Sequence, residues 1–165
     1  MKKGYKKPNL ESKYFDQLFE SLPSLEGKTV VITGTTSGTG YTAAEACGKL
    51  GAKVLLLNRP SERAKTSYEK LKEATSNGSF HPIDCDLQSF ASVRECISKI
   101  NDLCPEGIDV LCNNAGVMAL EDMPTGDGYD VQMQTNHLSH FLLTKLLWPS
   151  LEKAANEKGE ARVVN

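Results

Sequence analysis

The sequence predicts an α/β domain built on a doubly wound parallel sheet. Short apolar runs rich in β-branched residues alternate with longer helical stretches through most of the 165 residues, which is the pattern of repeated strand–helix–strand units. A glycine-rich stretch, TGTTSGTG at 33–40, separates the first apolar run from the helical stretch that follows it. Because crossovers between parallel strands are right-handed, such units give a sheet with helices on both faces.

Each element is expected where the periodicity changes and a turn residue intervenes. Strands are predicted at 29–33, 52–58, 79–86, 108–114 and 161–165, and helices at 41–50, 61–78, 92–103 and 129–157. Ser61 is the expected N-cap of the second of these helices, and Gly78 its stop. The expected strand order is 3-2-1-4-5, and the sheet is expected to be truncated after its fifth strand.

The chain divides into a short N-terminal part, residues 1–27, and one domain, residues 28–165. Apolar residues recur at helical spacing in the N-terminal part (Tyr14, Phe15, Leu18, Phe19, Leu22), and Pro23 and Gly27 follow them. This pattern predicts an amphipathic helix. Packing of that helix on the main domain is favoured over a role on a membrane surface or against a partner.

Composition and charge exclude several classes of protein. The formal charge of −2 disfavours nucleic acid as a partner. Neither an apolar run of 18 residues nor a secretory signal is visible, so no membrane span is expected. The five cysteines show no CxxC spacing, which favours reduced thiols in an intracellular compartment, cytosol or organelle, and no metal site.

The glycine-rich stretch predicts a dinucleotide-binding turn. A turn that joins the end of a strand to the start of a helix presents free N–H groups and the positive end of the helix dipole, where a pyrophosphate binds. Gly34 permits the sharp turn, Gly38 the approach of the phosphates, and Gly40 close packing of helix on strand. A merely tight structural turn is the alternative, and the strand–turn–helix context favours the nucleotide.

The end of the second predicted strand indicates which dinucleotide binds. An acidic residue there would bind the ribose hydroxyls of NAD, but the sequence has Asn58 followed by Arg59. A guanidinium group without a neighbouring carboxylate suits the 2′-phosphate of NADP(H). A solvated Arg59 without a ligand is the alternative.

Four motifs in one order carry a resemblance to a known family. They are TGTTSGTG at 33–40, DL at 86–87, NNAG at 113–116, and Asn136 within TNHLSHFLLT. Over residues 25–165 the chain resembles the classical short-chain dehydrogenases/reductases, and most closely their retinol dehydrogenase and protochlorophyllide reductase-like branch. The resemblance implies a Rossmann-type fold.

The resemblance also implies roles for individual residues. The turn would bind the pyrophosphate, Arg59 the 2′-phosphate and the DL pair the adenine, while the NNAG motif would lie beneath the adenosine side and Asn136 would be catalytic, holding a water of the proton relay. Thr39 departs from the aliphatic residue usual in the family. The residues concerned are Gly34, Ser37, Gly38, Thr39, Gly40, Arg59, Asp86, Leu87, Asn113, Ala115, Gly116 and Asn136.

The family's Ser, Tyr and Lys, which transfer the proton and polarise the substrate, follow the fifth strand. Tyr68 and Lys72 have YxxxK spacing but precede NNAG, and they are interpreted as helix surface. The expected function is therefore that of an NADP-dependent oxidoreductase acting on an alcohol or carbonyl substrate, represented here by its cofactor-binding part. The alternative is a non-catalytic NADP(H)-binding or scaffold protein that ends naturally at this point. A nucleotide-sugar epimerase-like enzyme is disfavoured.

Two histidines of the long predicted helix and the cysteine beside NNAG are not expected to take part in catalysis. His137 and His140, three residues apart on a predicted helix, lack a third ligand nearby in sequence and are expected to be surface or packed residues. Cys112 is expected to be a buried strand residue and no nucleophile. The long helix at 129–157 is of a kind that such proteins use to dimerise, so a homodimer is one expectation.

Overall fold

A computed structural model describes residues 15–165, which form a five-stranded parallel sheet flanked by helices. The strands are β1 Thr29–Thr33, β2 Lys53–Asn58, β3 Ser79–Asp84, β4 Val110–Cys112 and β5 Arg162–Val164. Their order is β3-β2-β1-β4-β5, and every adjacent pair is parallel. The predicted order and fold class are confirmed.

Helices cover both faces of the sheet, and each face has its own apolar core. The helices are α1 Phe15–Ser21, α2 Gly38–Lys49, α3 Glu62–Ala74, α4 Phe90–Leu103, α5 Val131–Met133 and α6 Ser139–Lys158. Ala44 of α2 and Leu71 of α3 pack with Val54 on one face. Ile100 of α4 and Leu147 of α6 pack with Leu55 on the other. The sheet is therefore doubly wound, with its connections changing face between β1 and β4.

Several predicted boundaries differ: α2 begins at Gly38 rather than 41, β3 ends at Asp84 rather than 86, and α3 and β4 are shorter than predicted. Helix α3 begins as predicted, with the Ser61 hydroxyl accepting from Ala64 N at 3.1 Å. It ends at Ala74 rather than 78, and Gly78 lies against α2, where a Cβ would be 2.5 Å from the Gly48 carbonyl oxygen. Strand β4 spans three residues, and Asp109, buried just before it, uses its carboxylate to accept from Thr29 N at 2.8 Å.

The predicted helix at 129–157 is interrupted. Asp130 caps α5 by accepting from Met133 N at 2.8 Å. The chain then forms a π-helical turn over Gln134–Leu138 before α6, and Ser139 N donates to Gln134 O in that turn. The turn contains Asn136, so the interruption changes the position of a predicted site residue.

The N-terminal helix is short in the described part of the chain. Helix α1 spans Phe15–Ser21, and the side chains of Leu18 and Leu22 are exposed. Leu25 packs on the core beneath α2 and α3. Tyr14 and the preceding residues lie outside the described range, and the division of the chain at residue 27 remains a prediction. Within 15–165, the helices are all too short or too polar to cross a membrane.

Candidate functional site

A cleft of about 470 Å³ opens at the carboxyl ends of the strands. The glycine-rich turn after β1 and the residues after β2 form its walls, together with Asp86 and Leu87 after β3 and the 114–117 segment after β4. In an open doubly wound sheet, ligands bind where the connections change face, which here is between β1 and β4. The cleft therefore lies where the fold places a ligand.

Only glycine fits at two positions of the turn. Gly34 has φ +73°, and a Cβ there would be 2.8 Å from the Cα and Cβ of Ala115. A Cβ at Gly40 would be 2.3 Å from Asn114 Nδ2 and 2.4 Å from Gly34 O. Asn114 uses that nitrogen to donate to Thr33 O and Gly34 O, at 2.9 and 3.1 Å. The turn is thus packed tightly against the NNAG segment.

The start of α2 presents its positive end to the cleft. The helix begins at Gly38, its first turn has no acidic residue, and the Ser37 side chain makes no capping hydrogen bond. Ser37, Thr39 and Gly40 line the cleft, whereas Gly38 does not, and the space where its Cβ would be is open. Uncapped N–H groups at a helix N-terminus favour an anion.

The amide of Asn58, at the end of β2, is hydrogen-bonded to the glycine-rich turn. Asn58 Oδ1 accepts from Thr35 N at 2.8 Å, and Asn58 Nδ2 donates to Thr35 Oγ1 at 2.8 Å. A neutral side chain is therefore fixed at the position where an acidic residue would contact a ribose. The sequence indicated that a carboxylate is missing there, but not that Asn58 holds the turn.

Two exposed arginines stand at this end of the cleft. Arg59 and Arg63 both line it, and Arg63 Nη2 donates to the Ser37 hydroxyl. Within residues 15–165, neither guanidinium is in an ion pair. Sequence analysis missed Arg63, although the predicted N-cap at Ser61 placed it in the first turn of α3, facing the same edge as Arg59.

The wall after β3 is formed by Asp86 and Leu87, as predicted. Asp86 Oδ1 accepts from Gln88 N at 2.9 Å, and Leu87 O accepts from Ser139 Oγ at 2.6 Å, which fixes this wall to α6. Cys85 also lines the cleft. The Cys96 thiol 3.6 Å away, together with burial, raises the pKa of Cys85. Its sulfur is a thiol at neutral pH and no nucleophile.

The NNAG segment contributes Asn114, Ala115 and Gly116 to the cleft, and Val117 follows them. Asn113 points elsewhere: its Nδ2 donates to Thr144 Oγ1 at 3.1 Å and to Asn165 Oδ1 at 2.8 Å. Its contacts therefore join β4 to α6 and to the end of the chain.

Asn136 is exposed and holds the cleft wall through its side-chain amide. Its Oδ1 accepts from Val117 N and its Nδ2 donates to Val117 O, both at 2.8 Å. His140 is buried, whereas His137 is exposed. Tyr68 and Lys72 lie on α3 outside the cleft, with Lys72 Nζ 5.2 Å from the Tyr68 ring centroid.

A family comparison matches most of the chain. The sequence profile described as short chain dehydrogenase matches residues 28–165.

The chain belongs to the short-chain dehydrogenase family.

Within this family the chain lies in the retinol dehydrogenase-like branch. Retinol dehydrogenase 13 of Homo sapiens is 35% identical to it over 145 residues, which cover 88% of this chain and 42% of the relative. The chain thus spans less than half the length of that relative.

Solved structures show the same fold. An NADP active-site complex of RhlG from Pseudomonas aeruginosa has a TM-score of 0.70 and 31% identity, over 85% of this chain and 54% of the other. An NADH-dependent reductase of alginate metabolism, A1-R′, has a TM-score of 0.69 and 31% identity, over 84% and 57%. Similar members of the family are therefore named for different nicotinamide cofactors.

The residues of the cleft fit a dinucleotide. A pyrophosphate needs free N–H groups and room beside the backbone. The uncapped start of α2 provides the N–H groups, and the small residues Ser37, Thr39 and Gly40 that line the cleft there leave room. The two arginines are placed to meet a further anionic group. Bound there, a nicotinamide dinucleotide would supply hydride transfer.

Proposed function

We propose that the chain is the cofactor-binding part of an NADP(H)-dependent oxidoreductase that transfers a hydride between the nicotinamide and an alcohol or carbonyl substrate. The observation that carries the proposal is the polar end of the cleft. Two guanidinium groups, Arg59 and Arg63, have no carboxylate partner among residues 15–165 and stand beside a strand that ends in neutral Asn58. Guanidinium groups bind phosphate through paired charge-assisted hydrogen bonds, and the 2′-phosphate distinguishes NADP from NAD.

The proposed roles follow the walls of the cleft. The start of α2 and the glycine-rich turn hold the pyrophosphate, with Ser37 and Thr39 offering hydroxyls. Asp86 and Leu87 contact the adenine, and Ala115 and Gly116 line the adenosine side. Asn113 and Gly38 act indirectly, Asn113 by joining β4 to α6 and Gly38 by leaving the approach open.

Asn136 supports the reaction through its main chain. Its side-chain amide is used by both main-chain groups of Val117, so the relay water that the resemblance implies would bind the Asn136 carbonyl oxygen, which also lies 3.1 Å from His140 Nδ1. A carbonyl oxygen can accept two hydrogen bonds. The proton-transferring Ser, Tyr and Lys of the family follow its fifth strand, so the first test measures binding rather than turnover.

The test compares dissociation constants of NADPH and NADH for the 165-residue chain by calorimetry. We expect tighter binding of NADPH. Arg59→Ala should weaken the binding of NADPH by about 10- to 100-fold, since a hydrogen bond to a charged group contributes about 1.5–3 kcal/mol. The affinity for NADH should stay within about threefold of the wild-type value. Arg63→Ala should also raise the dissociation constant of NADPH.

The matched control is Lys65→Ala, which removes a positive charge from the same helix. Lys65 pairs with Glu62 at 2.7 Å and lies outside the cleft, so both affinities should be unchanged. Equal affinity for the two cofactors, or an Arg59→Ala variant that weakens both equally, would contradict the assignment to NADP(H). Failure to bind either cofactor would overturn the proposal as a whole.

A further inference from the structure

A buried histidine links three parts of the site. His140 is 5% exposed, in the first turn of α6. Its Nε2 lies 2.9 Å from Thr33 Oγ1, at the end of β1. Its Nδ1 lies 3.1 Å from the carbonyl oxygen of Asn136, in the π-helical turn. Thr33 in turn accepts from Ala115 N at 2.9 Å.

With a neutral imidazole ring these contacts permit one arrangement of protons on His140; the Thr33 hydroxyl also has a longer alternative acceptor, the carbonyl oxygen of Cys112, at 3.5 Å. A carbonyl oxygen only accepts, so the proton must be on Nδ1 of His140. In the neutral ring Nε2 then accepts, and the Thr33 hydroxyl donates to it while accepting from Ala115 N. Each of these groups then has a hydrogen-bond partner. Ala115 N donates to Thr33, the Thr33 hydroxyl donates to His140, and His140 donates to the Asn136 carbonyl oxygen.

The neutral ring is also what the surroundings favour. Burial lowers the pKa of His140, the hydrogen bond to Asn136 O raises it, and the nearby His137 lowers it, with a net value below the ordinary 6.5. The Nδ1–H tautomer is the minor form of a free imidazole, so its presence would be a signature of this site.

We propose that His140 is a positioning residue: through its Nδ1–H form it fixes the carbonyl of Asn136 and, by way of Thr33, the main chain of Ala115. Asn136 is thereby held from both sides, since Val117 already holds its amide. The effect on the ligand is indirect, because His140 lies behind the wall formed by 114–117. The functional part of this inference rests on the proposed function of the cleft.

The first arm of the test reads the tautomer. Long-range nitrogen–proton spectra of the imidazoles separate Nδ1–H, Nε2–H and protonated rings, and His140→Gln identifies the signal among the three histidines. We expect His140 as Nδ1–H, with its pKa below the ordinary 6.5. An Nε2–H tautomer, or a ring that is protonated at neutral pH, would overturn the proposal without bearing on NADP(H) binding.

The second arm reads the cleft wall. His140→Phe should speed hydrogen exchange of the Val117 amide by at least about tenfold. It should also weaken the binding of NADPH and of NADH equally, because the wall contacts parts that the two cofactors share. His140→Asn, which keeps a donor at the δ position, should recover most of both effects. His137→Gln is the matched control and should change neither.

Two variants of Thr33 test the proposal if His140→Phe does not fold. Thr33→Val removes the hydroxyl between His140 and Ala115, whereas Thr33→Ser keeps it. We expect only Thr33→Val to speed Val117 exchange and weaken both cofactors. Unchanged exchange in the folded variants would overturn the positioning role. If the wild-type chain binds neither cofactor, the proposed function fails, and the tautomer and exchange data still decide the role of His140.

Discussion

Asn58 ends β2 where an acidic side chain would favour NAD, and its neutral amide instead binds Thr35 of the glycine-rich turn through both of its polar atoms. One residue therefore has two effects. It fixes the shape of the turn, and it places no carboxylate beside the neighbouring Arg59. The proposed preference for NADP(H) depends on this neutral side chain as much as on the positive one.

Replacing Asn58 by Asp should reverse the preference. A carboxylate can accept from both Thr35 N and the Thr35 hydroxyl, so the turn is retained, but it repels a 2′-phosphate and can accept from a ribose hydroxyl. We expect NADPH to bind at least about tenfold more weakly, a change of about 1.4 kcal/mol, with NADH equal or tighter, measured by calorimetry.

Asn58→Ser is the control for loss of the amide alone. It removes the contacts with Thr35 without adding charge, so both cofactors should weaken together. If Asn58→Asp left the ratio of the two affinities unchanged, the 2′-phosphate would have to bind elsewhere.

At the scale of elements, the amino ends of the strands are held by one buried carboxylate. Asp109, just before β4, accepts from Thr29 N of β1 at 2.8 Å and pairs with Lys28 and Lys158 at 3.1 and 2.9 Å. It thus joins β1, β4 and the end of α6, at the edge of the sheet away from the cleft. Burial raises the pKa of Asp109, but Thr29 N–H and the two ammonium groups outweigh burial, and the pKa lies below its ordinary 3.8.

Removing this carboxylate should destabilise the fold in a pH-dependent way. Asp109→Ala should lower the free energy of unfolding by about 2–3 kcal/mol at pH 7, because a buried N–H and two ammonium groups lose a charged acceptor. A depressed pKa gives stability that is complete above pH 3.8 and is lost as pH falls through the lower, folded-state pKa. Urea unfolding at pH 7 and at stepwise lower pH should show the difference between wild type and variant shrinking below pH 3.8.

The exposed pair Glu45 and Lys49 serves as the control, at 2.5 Å on the surface of α2. Glu45→Gln should lower the free energy of unfolding by less than about 0.5 kcal/mol, since exposed ion pairs contribute little to stability. An Asp109→Ala variant as stable as Glu45→Gln would show that the three elements are held by packing alone.

Over the whole molecule, the sequence pattern predicted those features that depend on residues close together in the chain. The glycine-rich turn and the Ser61 cap follow from spacing within one strand–helix unit, and the strand order follows from the alternation of such units along the chain. All three are present in the structure. Features missing from the predictions depend on contacts between distant segments. Asn114 reaches the glycine-rich turn across β1 and β4, and the π-helical turn at 134–138 interrupts a sequence whose apolar periodicity is helical throughout.

The same distinction applies to the cleft. The sequence placed Arg59 beside the end of β2 because the two are adjacent in the chain. Arg63 reaches the cleft only because α3 directs its first turn toward Ser37. The role of Asn136 in holding Val117 depends on the shape of the 113–130 segment, which has no regular pattern to reveal it.

The most direct test of the central claim is to titrate the labelled 165-residue chain with NADPH and follow its backbone amide signals. We predict saturable shifts grouped at 34–40, 58–63, 86–88 and 114–117, the four walls of the cleft, with Lys28, Thr29 and Asp109 at the opposite edge unchanged. Shifts centred on that opposite edge, or none at saturating NADPH, would contradict the assignment of this cleft as the cofactor site.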